Sequence, residues 1–177
     1  CKRCVMDTTD PDIFFDEKGF CNHCNSYFSS ESKVVVKGEA GKKKLIDIFE
    51  QIKESGKGRS HDCVLGVSGG TDSSYVAYLA WKYGLRVLLT HLDNRWNTPV
   101  AEKNVAGIVD KTGFDIIRGE ANWHEFRDLQ LAFLKASVVD IEMITDHALA
   151  AWIYKLTAKR GIKYILSGTN FVTEAIM

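Results

Sequence analysis

From residue 63 onward, short apolar runs alternate with segments of helical periodicity. The apolar runs lie at 63–67, 86–92, 114–118 and 163–167. The segments with apolar side chains at the spacing of one helix face lie at 72–83, 98–112, 123–136 and 146–160. This alternation predicts an α/β, Rossmann-like fold, in which helices cover both faces of a parallel sheet. Ligands of such sheets bind beyond the carboxyl ends of the strands, so the segments after each strand are the candidates for a site.

The amino-terminal segment contains two C-x-x-C pairs, which are formed by Cys1, Cys4, Cys21 and Cys24. Two such pairs on tight turns can bring four thiolates into a tetrahedron around Zn²⁺, and their spacing is typical of paired zinc knuckles. Disulfides and a redox pair are the alternatives. A redox C-x-x-C normally lies beside a βαβ unit, whereas residues 1–28 contain turn-like strings. We therefore expect a structural zinc site, with His23 facing solvent.

Composition divides the chain into three parts. Residues 1–28 form the zinc-binding segment, 29–57 a linker followed by an amphipathic helix, and 58–177 the α/β domain, which would be incomplete at its carboxyl end. The polar stretch 29–44 is rich in Ser, Lys and Gly and predicts a loop. Cys63 opens an apolar run and is expected to be a small buried side chain.

Charge and hydropathy limit the classes of function. The chain has 23 Lys plus Arg and 23 Asp plus Glu, for a formal net charge of zero. This balance gives little support to binding of a nucleic acid. No apolar stretch reaches the roughly 18 residues of a membrane-spanning helix, and no basic-then-apolar stretch resembles a secretory signal, so we expect neither. We expect a cytoplasmic protein without a membrane partner.

The loop after the first strand has the sequence Ser-Gly-Gly-Thr-Asp-Ser-Ser, over residues 68–74. At the start of a helix, backbone N–H groups and the helix dipole attract anions, and Gly69 and Gly70 permit a sharp bend and close approach. Asp72 would repel a phosphate, so it either caps the helix or helps to hold Mg²⁺ against a pyrophosphate. A strand-to-helix turn with good caps is the simpler alternative.

This loop lacks the Gly-Lys-Ser/Thr ending of a P-loop and the G-x-G-x-x-G of a dinucleotide site. It resembles instead the S-G-G-x-D-S signature of the PP-loop ATP pyrophosphatases, which cleave ATP between the α- and β-phosphates. The resemblance implies that 58–177 is a domain of this type that uses ATP and Mg²⁺, with Asp72 and Ser73 as catalytic residues. The residues implied to hold the pyrophosphate are Ser68, Gly69, Gly70, Thr71, Asp72, Ser73 and Ser74.

Longer segments are similar to the N-terminal half of the N-acetyl sugar amidotransferases, which act in O-antigen (lipopolysaccharide), flagellar and related surface-glycan pathways. The segments are CKRCVMDTTDPDIFFDEKGFCNHC, THLDNRWNT, DLQLAFLKASV, TDHALAAWIYKL and ILSGTNFVTEAI. The resemblance implies an enzyme that adenylates the acetamido oxygen of an N-acetylated nucleotide sugar. Ammonia then replaces that oxygen, giving an acetamidino sugar, AMP and pyrophosphate. Arg95 departs from the pattern, which has a small residue there, often Gly.

The resemblance also assigns residues at the strand ends. Contacts to adenosine or the α-phosphate are implied for His91, Leu92, Asp93, Gly168, Thr169 and Asn170. The sugar would face Trp96, Asn97 and Asp146, and His147 would assist proton transfer. Each has a structural alternative, since a strand-end His can be internally bonded, a Trp can be packing and Asp146 is a natural helix N-cap.

No glutaminase sequence is visible, so ammonia would come from a partner. The resemblance implies separate glutaminase and ammonia-channelling proteins similar to the two subunits of imidazole glycerol phosphate synthase. Two alternatives stay open. A tRNA thiolase of the PP-loop class also pairs zinc knuckles with this domain, but it commonly needs cysteines near the nucleotide, and none follows Cys63. A nucleotide-responsive zinc module without turnover is the other.

Overall fold

The structure is a computed structural model that describes residues 1–171. Residues 172–177, which end both the expected α/β domain and the last segment of the family resemblance, lie outside the described residues. Contacts divide the chain into two units. Among the described residues, one comprises Cys1–Leu45 and 169–171, and the other comprises Ile46–Gly168. The first of the two boundaries falls within a helix, and the second follows Gly168.

The second unit contains a sheet of four parallel strands in the order β3-β2-β1-β4. The strands are β1 (Cys63–Gly66), β2 (Val87–Asp93), β3 (Asp115–Glu120) and β4 (Ile165–Leu166). The helices of the chain, in order, are α1 (Asn22–Val34), α2 (Gly38–Ser55), α3 (Thr71–Lys82), α4 (Pro99–Thr112), α5 (Trp123–Lys135) and α6 (Met143–Lys159). The predicted α/β fold with a parallel sheet is therefore confirmed.

The inner strands β1 and β2 are buried along most of their length, as is typical of parallel sheets that are covered on both faces. Val64 and Leu65 of β1 are fully buried, and Val87, Leu88 and Leu89 of β2 are nearly so. A core cluster of Val64, Leu88, Leu156 and Ile162 joins these strands to α6 and to the segment before β4.

Local signals place the helices that follow the strands. The side chain of Thr98 accepts a hydrogen bond from the N–H of Ala101 at 3.2 Å, and Pro99 occupies the first turn, as the sequence predicts. The same helix, α4, ends at Gly113, whose φ of 70° is the left-handed conformation that favours glycine.

Helix α6 starts three residues earlier than its periodicity suggests. Its N-cap is Glu142, so Asp146 lies inside the helix, and the interpretation of Asp146 as an N-cap is wrong. Trp152 packs against the sheet at Gly119, where a Cβ atom would lie 2.6 Å from the indole ring. Its Nε1–H donates to the hydroxyl of Thr90 at 2.7 Å. Leu149, three residues before Trp152 in the same helix, is exposed.

The stretch expected to be a linker is mostly helical. Helix α1 runs to Val34 and α2 begins at Gly38, so residues 35–37 alone separate them. The sulfur of Cys21 caps α1, and Lys37, between the two helices, pairs with Glu31 at 2.7 Å. Within the described residues, no helix has the length and apolarity needed to cross a bilayer.

Candidate functional site

The loop 68–74 joins the central strand β1 to α3 and leaves the start of the helix without a side-chain cap. The N-cap is Gly70, and no side chain bonds to the first-turn amides. The hydroxyls of Ser73 and Ser74 do not accept from these amides but donate to the carbonyl of Gly70, at 3.3 and 2.6 Å. Uncapped N–H groups at the positive end of a helix dipole are suited to bind an anion.

The fold requires one of the two glycines of this loop, Gly69, but not the other. Gly69 has φ +80°, and a Cβ atom there would lie 2.3 Å from the carbonyl oxygen of Ala101. Its own carbonyl accepts a hydrogen bond from the Nδ2 of Asn104 at 2.9 Å, which fixes the loop to α4. Gly69 is therefore required by the fold.

Gly70 is not required by the fold. Its φ of −79° suits any residue, and a Cβ atom would meet only the Oγ of Ser68, at 3.2 Å. The absence of a side chain at this position leaves space directly above the uncapped first turn of α3. Glycine serves this purpose where a backbone must come close to a ligand.

Gly168 supports the loop from the end of β4. A Cβ atom at this position would lie 2.8 Å from the backbone nitrogen of Ser73, so the strand end packs directly on the first turn of α3. The contact of Gly168 with adenosine or the α-phosphate stays a prediction. Thr169 and Asn170 have contacts of their own, Thr169 belongs to the first unit, and their nucleotide contacts stay predictions.

Asp72 lies in the first turn of α3 and is half-buried. Because the N-cap is Gly70, Asp72 does not perform the capping that the sequence leaves open. No hydrogen bond or ion pair to its carboxylate is found in residues 1–171. A carboxylate at the start of a helix whose N–H groups could bind phosphate fits the chemistry of Mg²⁺, which is bound by one or two carboxylates together with substrate phosphates.

His91 is buried at the end of β2, and both its ring nitrogens have partners inside the protein. Its Nδ1 donates to the carbonyl of Val67 at 2.7 Å, because a carbonyl can only accept. Its Nε2 lies 3.0 Å from an oxygen of Glu102 and 3.1 Å from the Nδ2 of Asn97. The geometry favours the internally bonded alternative for His91. Its contact with adenosine stays a prediction.

Glu102 connects this histidine to the neighbouring strand. Arg118 donates to the second carboxylate oxygen of Glu102 at 2.7 Å. This hydrogen bond, with the contribution of His91, lowers the pKa of Glu102 below its ordinary value. The cluster therefore links the end of β1, just before the loop 68–74, to α4 and β3.

A second loop, residues 93–97, lies at the end of β2. Its two turns are fixed by side chains, since Asp93 accepts from the N–H of Arg95 at 2.7 Å and Asn94 from that of Trp96 at 3.0 Å. Asn97, through His91, connects this loop to β1. Leu92, just before it, is buried, so its side chain packs in the core.

Trp96 and Arg95 both reach towards α5. The indole Nε1–H of Trp96 donates to Gln130 at 2.7 Å while the side chain remains 64% exposed. The guanidinium of Arg95 lies 5.9 Å from the centre of the Trp123 ring. Arg95 has φ +64°, a backbone conformation that favours glycine. The sequence alone did not indicate Gln130 or Trp123 as neighbours.

Asp146 and His147 are exposed on α6. The Nδ1 of His147 contacts the carbonyl of Met143, one turn earlier, at 2.7 Å. No contact between these two side chains and the loops 68–74 or 93–97 is found among the described residues. Their functions in substrate binding and proton transfer stay predictions.

In the first unit, the structure brings together the four cysteines of the two pairs. Their sulfurs all lie within 4.8 Å of one another, with 3.7 Å between Cys1 and Cys24 and 3.6 Å between Cys4 and Cys21. Four sulfurs bonded at ~2.3 Å to a tetrahedral zinc ion are ~3.8 Å apart, whereas a disulfide needs ~2.05 Å. The cysteines are free thiols and their arrangement fits Zn²⁺.

Backbone and side-chain donors surround these sulfurs. The N–H of Cys21 donates to the Cys1 sulfur at 3.3 Å, and that of Cys24 to the Cys21 sulfur at 3.5 Å. His23 is not one of the ligands, because its Nε2 pairs with Asp10 at 2.7 Å. The sequence did not indicate this pair, although His23 is partly exposed, as expected for a residue that faces solvent.

Arg3 is a functional neighbour that the sequence analysis missed. Its Nη1 donates to the sulfur of Cys24 at 3.6 Å, and its guanidinium carbon lies 4.8 Å from the ring centres of both Tyr27 and Phe28. A zinc ion with four thiolates carries net negative charge, which a guanidinium offsets. The sequence feature that could have indicated this contact is the basic residue inside the first C-x-x-C pair.

Cys63, the fifth cysteine, is fully buried in β1, as the sequence predicts. Burial disfavours the charged thiolate, with a further contribution from the neighbouring Asp62, and raises the pKa of Cys63 to about 12. This thiol is therefore inert at neutral pH.

No protein-family model and no curated protein matches this sequence. The structure, in contrast, is similar to solved structures. The glutamine-dependent NAD⁺ synthetase from Acinetobacter baumannii in complex with ADP matches with a TM-score of 0.59 at 17% identity, over 72% of this chain and 24% of that one.

Two other structures match at a TM-score of 0.50. The NH3-dependent NAD synthetase from Campylobacter jejuni, in complex with nitrate, is 19% identical over 69% of this chain and 54% of that one. The NMN synthetase from Francisella tularensis is 17% identical over 69% and 50%. The chain thus spans about half or less of these proteins, and it has their α/β fold, the fold expected from the PP-loop signature.

Proposed function

We propose that this chain is the nucleotide-binding part of an ATP-dependent, AMP-forming N-acetyl sugar amidotransferase of surface-glycan biosynthesis. The single observation that carries the proposal is the uncapped start of α3 beneath Gly70, a glycine that the fold does not require. Such a surface suits the linked phosphates of ATP, and the loop has the S-G-G-x-D-S sequence of PP-loop ATP pyrophosphatases.

ATP would bind with its β- and γ-phosphates on the loop 68–74. Backbone amides of the first turn of α3 and the hydroxyl of Ser68 supply the donors, while Asp72 would hold Mg²⁺. When bound, Mg²⁺ stabilises negative charge on the departing pyrophosphate. Ser73 and Ser74 hold the carbonyl of Gly70 and so keep the loop in its binding shape.

The reaction needs activation because an acetamide oxygen is a poor leaving group. That oxygen attacks the α-phosphorus of ATP, forming an O–P bond as the bond to pyrophosphate breaks. Ammonia then adds to the imidate carbon, the C–O bond to AMP breaks, and a proton is lost from nitrogen. The product is the acetamidino sugar. Positioning and charge neutralisation account for most of the catalysis in phosphorus-centred transfers of this type.

The sugar would lie at the loop 93–97. The exposed indole of Trp96 offers an apolar surface for a sugar ring, and the contact of Trp96 with Gln130 holds it in one orientation. Asn97 is fixed beside His91, with its carbonyl oxygen available to the acetamido N–H. Asp146 and His147 are proposed to bind substrate and accept the proton that the ammonia nitrogen loses.

Ammonia would come from a separate glutaminase and an ammonia-channelling protein. Two of the structural neighbours are named for dependence on NH3 and on glutamine, which supports a chemistry in which ammonia is the nucleophile. The four-cysteine site would hold Zn²⁺ as a brace for the first unit. Because the substrates are ATP and a nucleotide sugar, we place the reaction in the cytoplasm.

The test is turnover by the complete protein. ATP, Mg²⁺, an ammonium salt and candidate N-acetylated nucleotide sugars are incubated with the enzyme. We expect AMP, pyrophosphate and a sugar in which NH has replaced oxygen, as measured by mass spectrometry. Glutamine alone should not replace the ammonium salt. ATP binding without AMP formation would indicate a nucleotide-responsive module instead, and AMP formation that depends on tRNA would indicate a thiolase.

A further inference from the structure

Arg95 adopts a backbone conformation that is unfavourable for its residue type. Its φ is +64°, and Ser137 is the one other non-glycine residue with positive φ among the described residues. A glycine would occupy this position without strain. Residues with a strained backbone are concentrated at functional sites, and the strain at Arg95 therefore suggests a function for its side chain.

The guanidinium of Arg95 has no carboxylate partner among residues 1–171. Nearby Asp93 uses its Oδ1 for the backbone N–H of Arg95 instead, at 2.7 Å. Arg86 and Arg118, in contrast, are paired with Asp62 and Glu102. The Arg95 side chain is exposed and lies over Trp123, so a positive charge is held in place without its counter-charge.

Arg95 is connected to the phosphate-binding loop by a short chain of hydrogen bonds. Asn97, two residues on, contacts the Nε2 of His91 at 3.1 Å, and the Nδ1 of His91 donates to Val67 at 2.7 Å. Val67 directly precedes the loop 68–74. The loops after β1 and β2 therefore share one edge of the sheet, where ligands of parallel α/β folds bind.

We infer that Arg95 is a specificity-determining residue that binds an anionic group of the acceptor sugar, either the phosphates of its carrier or a sugar carboxylate. This inference rests on the proposed function, because it places the acceptor at the loop 93–97. A guanidinium pairs with phosphate or carboxylate through two parallel hydrogen bonds. Trp96, beside it, packs against the uncharged ring.

The test compares charged and neutral probes by calorimetry on the complete protein with ATP analogue bound. The probes are UDP-N-acetylglucosamine, the uronic acid of N-acetylglucosamine, and N-acetylglucosamine itself. Wild type should bind one charged probe about tenfold to a hundredfold more tightly than the neutral sugar. Which charged probe gains affinity identifies phosphate or carboxylate as the group recognised.

Arg95→Gly should remove this preference, while Arg95→Lys should retain part of it. Arg127→Ala is the control, because Arg127 is an exposed arginine of α5 that pairs with its neighbour Asp128. Equal affinity of wild type for charged and neutral probes, or failure to bind any of them, overturns the inference. So does a preference that survives in Arg95→Gly.

Two further readouts separate this inference from the proposed function and from a structural effect. Arg95→Gly should bind ATP as wild type does and unfold at a higher temperature, because glycine relieves the positive φ. Failure of the complete enzyme to form AMP would contradict the proposed reaction while leaving the probe comparison valid. A lower unfolding temperature of Arg95→Gly would show that Arg95 is needed for the fold and would overturn the inference.

Discussion

The cysteine cluster and the loop 68–74 satisfy their polar groups in opposite ways. In the cluster, the four sulfurs already lie within 4.8 Å of one another and accept hydrogen bonds from nearby N–H groups, so a metal ion would complete the arrangement. In the loop, the hydroxyls of Ser73 and Ser74 turn back to Gly70 and leave the start of α3 uncapped. The first arrangement suits a permanent ion, and the second suits a ligand that enters and leaves.

The largest effect is expected from removal of a zinc ligand. Cys21→Ser replaces a buried sulfur that also caps α1, so zinc should be lost and residues 1–34 should lose their structure. Metal content and hydrogen exchange measure this. His23→Ala, in the same knuckle, is the control and should keep its zinc. Wild-type metal content in Cys21→Ser would contradict the four-thiolate site.

Gly69→Ala should destabilise the second unit by about 3 kcal/mol, because left-handed strain and a clash with Ala101 add together. The control is Gly84→Ala. Gly84 has a similar φ of +73° but open space around a Cβ atom, so it carries the strain alone, about 1–2 kcal/mol. Chemical denaturation measures both values. Equal destabilisation of the two variants would show that Ala101 does not fix the loop.

Arg3→Met should weaken zinc binding about tenfold to a hundredfold, the range found when a group that bonds to a metal ligand is removed. The cause is loss of the hydrogen bond to Cys24 and of the charge that offsets the thiolates. The rate of zinc transfer to a chelator measures the effect. Lys2→Met removes an equal charge from the neighbouring residue and should release zinc at the wild-type rate. If both variants release zinc equally fast, general electrostatics and not Arg3 explains the effect.

The smallest effect concerns Cys63. Because burial raises the pKa of Cys63 to about 12, the folded protein keeps this proton at a pH where the unfolded chain has lost it. Stability should therefore fall as the pH rises from about 9 to about 12, and less so in Cys63→Ala. After a chelator has removed any bound zinc, thiol labelling at pH 8 should modify the four cysteines of the cluster and leave Cys63 unmodified. Rapid labelling of Cys63 would contradict its burial.

Both regions were predictable from sequence because each depends on residues close together along the chain. The C-x-x-C pairs and the string SGGTDSS specify their own turns, and Thr98-Pro99 specifies the start of α4. What sequence reasoning missed depends on distant partners. The two nitrogens of His91 bond to Val67 and Glu102, Trp152 packs on Gly119, and Arg3 reaches Cys24, none of which local periodicity encodes.

The linker prediction failed for a related reason. Residues 29–44 have the polar composition of a loop, yet most of them are helical, and the cap that starts α1 lies at Cys21, outside this stretch. The N-cap alternative for Asp146 fails because α6 begins at Met143, one turn earlier, with Glu142 as its N-cap.

The central claim is that Gly70 is kept free of a side chain for a phosphate ligand and not for the fold. Affinity of Gly70→Ala for ATP with Mg²⁺, measured by calorimetry beside its free energy of unfolding, tests this directly. We predict stability within about 1 kcal/mol of wild type, since alanine is only a poorer N-cap than glycine, together with loss of detectable ATP binding. Wild-type affinity for ATP in a folded Gly70→Ala protein would contradict the account.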